Sequence, residues 1–223
     1  MKKRNLVFVI VFVFSFAVQA QEKVQIKMDL PKPSFAGTPR HIKPHVHLDP
    51  YPSYKPRPPI IVPVGCDKLL SRGCKVTSSD LDPIIGELKY ITDGDKTQDH
   101  SAYVELSPGL QWIQIDLDGE KEIHAICIWH YVAGEVQRAY RDVIVQISND
   151  PKFVEGVVTV FNNDYDNSAG FGKGKDKEFA VSYYGRPFVV DAVKGRYVRC
   201  YSRGNTDNEM NHYVEVEVYG KPN

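Results

Sequence analysis

The chain has 223 residues, of which 42% are hydrophobic and 25% charged, a composition typical of one globular domain with additional segments. The formal net charge is zero but is unevenly distributed. Residues 21–65 contain seven Lys/Arg and three Asp/Glu, whereas residues 66–223 contain 18 Lys/Arg and 25 Asp/Glu. An acidic body lacks the basic face that phosphate binding requires, which argues against nucleic acid as the main partner.

The first 20 residues have the pattern of a secretory signal peptide. Lys2-Lys3-Arg4 precede an apolar run of 13 residues, and Val18-Gln19-Ala20 place small residues at the expected cleavage positions. The apolar run is shorter than the roughly 20 helical residues that a bilayer requires. We therefore predict an exported protein, secreted or periplasmic/extracellular, with no transmembrane segment.

Residues 21–65 contain ten of the fifteen prolines and almost no periodic apolar pattern. Proline removes backbone donors and favours extended conformations, so this segment is predicted to be a disordered, Pro-rich extended arm. His41, His45 and His47 lie close together in the arm. Without a scaffold to fix their geometry, we do not predict a metal site there.

Residues 66–223 contain many short β segments separated by Gly, Asn and Asp. Residues 112–117 alternate apolar and polar side chains, as a half-buried strand does. A helical turn is considered within residues 79–88. Further strands are predicted at 122–131 (bulged), 141–148, 157–161, 188–191, 197–202 and 213–219. This pattern favours an all-β fold, an antiparallel β-sandwich or jelly roll.

The four cysteines allow disulfides in an exported protein. Cys66 and Cys74 enclose a short loop, and we predict a bond between them. For Cys127 and Cys200, in predicted strands, both a cross-strand bridge and two buried thiols stay open. No Cys/His set has the spacing of a zinc motif.

Five segments, in chain order, resemble the discoidin family, also called coagulation factor 5/8 type C domains, which includes family 32 carbohydrate-binding modules. They are Lys75-Val76-Thr77-Ser78-Ser79, Ile91-Thr92-Asp93-Gly94-Asp95-Lys96-Thr97, Gln111-Trp112-Ile113-Gln114-Ile115-Asp116-Leu117, Arg196-Tyr197-Val198-Arg199 and Val214-Glu215-Val216-Glu217-Val218-Tyr219-Gly220. The resemblance implies a galactose-binding-like sandwich over residues 66–223 that binds carbohydrate.

The resemblance also implies a structural calcium ion. Its ligands would be the side chains of Asp93, Asp95 and Glu215, with carbonyls near Tyr90 and Val214. Calcium takes six to eight oxygens, which a tight Asp-Gly-Asp turn helps to supply. The family pattern has a Thr five positions after the first Asp, whereas this chain has Thr97 four positions after it. A turn with surface acids and no metal is the alternative.

Three segments combine aromatic or imidazole rings with the amide, carboxylate and arginine groups that recognise sugar hydroxyls. Turn formation is the alternative role of their Asn and Asp residues, and Asp164 with Asp166 as ligands of a second cation is another. The candidate ligand-binding residues are His130, Tyr131, Arg138, Arg141, Asn163, Asp164, Tyr165, Asp166, Asn205, Asn208, Asn211, His212 and Tyr213.

Glu215 and Glu217 project from the same face of one predicted strand, about 7 Å apart, a separation within the range of an inverting glycosidase pair. Because the resemblance assigns Glu215 to metal, we predict no enzyme. Three functions stay open. The first is binding of an extracellular glycan or polysaccharide. The second is adhesion to a cell-surface protein, with the arm as spacer. The third is an ancillary domain detached from a larger secreted hydrolase.

Overall fold

The computed structural model of the chain describes residues 22–31, 42, 46–50, 55–98, 102–132 and 137–222. The predicted signal peptide, residues 1–20, lies outside the described residues, as do His41 and His45. Among the described residues, no helix has the length and apolar character needed to cross a membrane.

Eleven strands and one short 3₁₀ helix are found in the described residues. The strands are β1 (Lys23–Gln25), β2 (Ile61–Pro63), β3 (Lys68–Leu69), β4 (Lys75–Ser78), β5 (Val104–Leu106), β6 (Gln111–Trp129), β7 (Ile144–Ser148), β8 (Val158–Asn162), β9 (Arg186–Ser202), β10 (Asn211–Tyr213) and β11 (Glu215–Lys221). The 3₁₀ helix spans Leu88–Thr92, so the helical turn follows the 79–88 segment rather than lying within it.

The main sheet is antiparallel, in the order β3-β11-β6-β9-β7-β8, with β4 paired to the first half of β6. Strand β6 combines two strands predicted separately, and β9 combines two more. The junction in β6 is at Asp118 and Gly119, which have positive φ angles of 55° and 124°. Both halves of β6 pair with β9, and the pairing register shifts between Asp116 and Lys121.

A second sheet, formed by β5 and β10, packs against the main sheet. Val104 and Leu106 of β5 lie in one core cluster with Ile113, Val198 and Val216 of the main sheet, and all five are fully buried. The alternation of apolar side chains along these strands supplies the two facing inner surfaces. The predicted antiparallel β-sandwich is confirmed.

Two parts of the arm pack on the outer face of the main sheet. β1 pairs antiparallel with β2, and Ile26, Ile60 and Val62 are each 2% exposed. Their side chains form a cluster with Ala125 of β6 and Tyr219 of β11. The structure thus adds a layer over the sandwich that the proline pattern did not indicate.

The predicted Cys66–Cys74 disulfide is wrong, because all four cysteines are free thiols. Cys66 is buried against the arm cluster, whereas the Cys74 thiol donates to the carbonyl of Leu70 at 3.3 Å. Cys127 and Cys200 are buried in separate clusters, so the alternative of two buried thiols describes this pair.

Candidate functional site

A cluster of aromatic and imidazole rings lies where β6 ends, beside β10. The His130 ring stacks on Tyr140 at 4.1 Å and lies 4.9 Å from the Tyr213 ring. The hydroxyl of Tyr140 lies 2.8 Å from Nδ1 of His212, and Nε2 of His212 lies 2.9 Å from a carboxylate oxygen of Glu105. The structure therefore brings His130, His212 and Tyr213 together, and all three are buried.

The two histidines of this cluster are neutral. Burial lowers the pKa of His130 to about 4, and burial together with the Arg138 charge lowers the pKa of His212 to about 3. Nδ1 of His130 donates to the carbonyl of His212 at 2.8 Å. The contact of His212 with Glu105 is therefore a hydrogen bond from a neutral imidazole rather than an ion pair.

The cluster continues to Tyr131, which is partly exposed, and to Arg138, which is buried. The partly exposed Tyr131 ring stacks on Tyr103 at 4.2 Å, and the Arg138 guanidinium lies 5.4 Å from the centre of the Tyr131 ring. Arg138 forms a 2.7 Å ion pair with Asp207 of the loop before β10. Asp207 was not among the predicted ligand residues, although its place in the same Asn/Asp-rich loop was visible in the sequence.

The predicted group at residues 163–166 has mainly internal contacts. Asn163 Oδ1 accepts from the backbone of Val143 at 2.7 Å, and the buried Asp164 accepts from the backbones of Ser168 and Ala169. Tyr165 is 46% exposed and stacks on His47 at 3.9 Å.

Two carboxylates of this segment, Asp164 and Asp166, lie close to the carboxylate of Asp142. Oxygens of Asp142, Asp164 and the exposed Asp166 lie within 4.8 Å of one another. Arg203 lies 2.9 Å from Asp142, and Ser168 donates to the same carboxylate. These contacts are typical of a turn, and a second cation at the three carboxylates stays a prediction.

Amides of the third predicted segment hold its own loop. Asn211 makes four hydrogen bonds, accepting from Ser202 and Gly204 and donating to Ser107 and Gly109. Asn205 accepts from Asp207 and Asn208 and donates to Asn208 and Met210. The adjacent Arg141 is exposed and joins this loop through its backbone, which bonds Gly204 and Arg203.

The Asp-Gly-Asp turn meets the last strand, as the resemblance implied. The backbone N–H of Gly94 donates to Oε2 of Glu215 at 2.9 Å. Glu215 is fully buried and its Oε1 has no hydrogen-bond partner, while burial raises the pKa of its carboxyl to about 8. Val214 is buried, and the Tyr90 carbonyl accepts from Asp93 at 3.5 Å.

The calcium ion that the resemblance implies stays a prediction. Asp93 and Asp95 are exposed, and each accepts a backbone N–H two residues ahead. Their oxygens and those of Glu215 are not part of any group of three or more carboxylate, His or Cys ligands that lie within 4.8 Å of one another in the described part of the chain. The Glu215 oxygen that lacks a hydrogen-bond partner suits a cation, whose other ligands would include backbone carbonyls.

Two cationic side chains of the chain itself lie at this turn. The Arg72 guanidinium donates to the carbonyl of Asp93. The buried Lys96 ammonium lies 2.6 Å from Oε1 of Glu217, 2.9 Å from the carbonyl of Asp29, and 4.8 Å from the centre of the Trp129 ring. Sequence reasoning missed Lys96, although a lysine following an Asp-Gly-Asp turn was the available signal.

Comparison with solved structures shows the same fold. A family 89 glycoside hydrolase from Clostridium perfringens is 21% identical with a TM-score of 0.50, covering 69% of this chain and 14% of the hydrolase. The chitosan-binding module 1 of a chitosanase/glucanase from Paenibacillus sp. IK-5 is 19% identical, also with a TM-score of 0.50, covering 69% of this chain and 99% of the module. This chain thus corresponds to a small part of the hydrolase and to nearly the whole of the binding module.

No curated protein matches the chain. The F5/8 type C domain family model matches residues 75–216, well over half of the chain and nearly all of the sandwich. The strands, their antiparallel order and the contact between the 93–95 turn and β11 agree with that match. This chain belongs to the F5/8 type C domain family.

Proposed function

We propose that the chain is an exported, non-catalytic carbohydrate-binding module whose glycan site is formed by Tyr131 and Arg138. Support comes from the family and from the similarity to a chitosan-binding module over nearly that module's whole length. The neighbouring glycoside hydrolase carries this fold as a small fraction of its chain, which fits an accessory binding role. The leader pattern of residues 1–20 supports export.

The observation that carries this proposal is the contact between the partly exposed Tyr131 ring and the Arg138 guanidinium, 5.4 Å from the centre of that ring. Tyr131 is supported by the stacked Tyr103 ring, and Arg138 is held by Asp207 at 2.7 Å. A sugar packs its C–H face on an aromatic ring and directs its hydroxyls to planar charged groups. Tyr131, Arg138 and Asp207 supply both elements with little freedom left to lose on binding.

The same geometry argues for a binding rather than a catalytic role. Glu215 and Glu217, the pair with glycosidase-like spacing, are both buried. Glu217 is held by Lys96 at 2.6 Å and by the Tyr219 hydroxyl at 2.6 Å. A carboxylate covered in this way is out of reach of a glycosidic oxygen and its attacking water.

A glycan array followed by calorimetry with the best glycan tests the proposal. We expect Tyr131→Ala to weaken binding by up to about tenfold, since one stacking contact is worth about 0.5–1.5 kcal/mol. Arg138→Met, which keeps the apolar stem, is expected to have an effect of similar size. Tyr165→Ala is the matched control, because it removes a tyrosine ring from a different predicted segment, residues 163–166.

The outcomes separate the possible sites. Loss of binding in Tyr165→Ala with retention in Tyr131→Ala moves the site to the 163–166 segment. An array without any bound glycan overturns the carbohydrate function. Thermal melting of each variant shows whether a loss of binding comes from unfolding.

A further inference from the structure

Three potential metal ligands that are distant in the sequence meet on the outer face of the main sheet. The thiol of Cys66, a carboxylate oxygen of Glu122 and a ring nitrogen of His124 all lie within 4.8 Å of one another. Nε2 of His124 already lies 2.9 Å from Oε1 of Glu122. Cys66 follows β2 at the end of the arm, whereas Glu122 and His124 belong to β6.

The backbone explains how these side chains come together. In the ladders with β9 and β11, Ile123 and Ala125 are paired while the intervening His124 is left out, which marks a bulge. Glu122 and His124 are two residues apart on β6, which places their side chains on the same face before the bulge, and the imidazole is buried there. The turn after β2, closed by a hydrogen bond from Cys66 N to the Pro63 carbonyl, brings the thiol to the same place.

Burial and charge at this place suit a bound cation. Cys66 is 4% exposed, while the Glu122 side chain is 34% exposed and leaves a path to solvent. The other charged groups near the thiol are Asp67 and Lys221, one of each sign. Glu122 therefore supplies the negative charge of the group, and deprotonated Cys66 would supply a second.

We propose that Cys66, Glu122 and His124 form a Zn²⁺ site that fastens the end of the arm to strand β6. A thiolate, an imidazole and a carboxylate are the ligand types that zinc uses, with bond lengths of about 2.0–2.3 Å. To bind one tetrahedral ion, the His124 nitrogen and the Glu122 oxygen would separate slightly from their present 2.9 Å, and water would complete the shell. On binding, zinc replaces the thiol proton, which passes to solvent.

Co²⁺ titration of the purified full chain, kept under a phosphine reductant, tests this site directly. We expect one equivalent to bind with a thiolate-to-cobalt charge-transfer band and tetrahedral visible bands, both removed by one equivalent of Zn²⁺. Cys66→Ser is expected to abolish the charge-transfer band and to weaken Zn²⁺ binding by at least about 100-fold. Cys74→Ser, which removes a partly buried thiol eight positions away, is the control that keeps both.

A second readout is thermal. We expect Zn²⁺ to raise the Tm of the wild-type chain and of Cys74→Ser, and to leave that of Cys66→Ser and His124→Gln unchanged. No cobalt band at stoichiometric metal, a band that persists in Cys66→Ser, or a band lost in Cys74→Ser would overturn the proposal. Glycan binding is expected to be unchanged in Cys66→Ser, so this test is independent of the proposed function.

Discussion

Gly94 donates its backbone N–H to Oε2 of Glu215 at 2.9 Å, joining a turn and a strand that are 121 positions apart in the chain. Beside it, Lys96 binds Glu217 at 2.6 Å, two residues further along β11. The turn is thus held to the last strand by one backbone donor and one buried ammonium group. Lys96 also binds the carbonyl of Asp29, so the same cation holds the first part of the arm.

Replacing the buried Lys96 is expected to destabilise the fold strongly. Lys96→Met leaves the Glu217 carboxylate buried without its partner, and removing one member of a buried pair costs about 3–5 kcal/mol. We expect a Tm lower by about 10 °C in a scanning calorimeter. Lys89→Met, which removes an exposed lysine paired with Glu87, is the control and should leave the Tm nearly unchanged. A double variant Lys96→Met/Glu217→Gln that melts no higher than Lys96→Met would contradict this explanation.

Comparing the Tm with and without calcium tests whether a structural calcium ion stabilises the fold. Because Lys96 and Arg72 already supply positive charge at the 93–95 turn, we expect the Tm to be the same with a chelator and with millimolar calcium. A Tm that rises with calcium, and no longer rises in Glu215→Gln, would instead support the site implied by the family resemblance. Chelation of zinc is excluded as the cause by repeating the measurement in Cys66→Ser.

The two buried histidines are expected to lower stability as the pH drops below about 6.5, whereas Glu215, whose pKa is raised to about 8, opposes this slope above its unfolded pKa. His130 and His212 have pKa values lowered to about 4 and about 3, so between those values and the unfolded pKa the unfolded chain binds more protons. The two histidines therefore contribute their full stabilising free energy above the pKa of histidine in the unfolded chain. This contribution is lost as the pH falls towards their pKa values in the folded chain. Each histidine contributes a slope of at most about 1.4 kcal/mol per pH unit.

Chemical denaturation at intervals from pH 7.5 to 4.5 measures this slope. His130→Phe keeps a ring to stack on Tyr140 but has no titrating group, and is expected to show a shallower dependence than the wild type. An equal slope in the two proteins would exclude His130 as a contributor.

Asn211 is expected to act on folding rather than on glycan recognition. Its amide makes four hydrogen bonds to the chain itself and is fully buried. Asn211→Ala leaves buried donors and acceptors unpaired, with an expected cost of about 2–4 kcal/mol in the free energy of unfolding. Glycan affinity per folded molecule should be unchanged. A large loss of affinity at full folding would make Asn211 a ligand contact.

The boundary at residue 66 stays a prediction, and truncation tests it. A chain starting at residue 66 loses the cluster of Ile26, Ile60 and Val62 and exposes Ala125 and Tyr219. We expect it to melt about 5–10 °C below a chain starting at residue 22, since each lost apolar side chain removes roughly 1.5–3 kcal/mol of burial, partly offset by ordering entropy. Equal melting temperatures would support the shorter domain.

The strands could be recognised from the sequence because alternation and turn residues are local properties. Trp112 to Leu117 alternates so clearly that its strand was predicted, and β7 and β8 lie close to their predicted positions. The junction of two strands within β6 was not recognised, because Asp118 and Gly119 have the sequence of a turn although pairing with β9 continues past them. Local signals predicted where strands lie but not where pairing continues.

The sequence by itself determined the fold class, the acidic body and the family, since each follows from composition, periodicity or motifs in order. Only the tertiary structure decided which of the polar residues hold the fold. Asn163, Asn205 and Asn211 bond their own loops, whereas Tyr131 is partly exposed beside the buried Arg138. It also decided that Cys66 meets Glu122 and His124 rather than Cys74. The physical reason is that side-chain partnerships depend on strand register, bulges and docking between segments far apart in the chain, which no local pattern encodes.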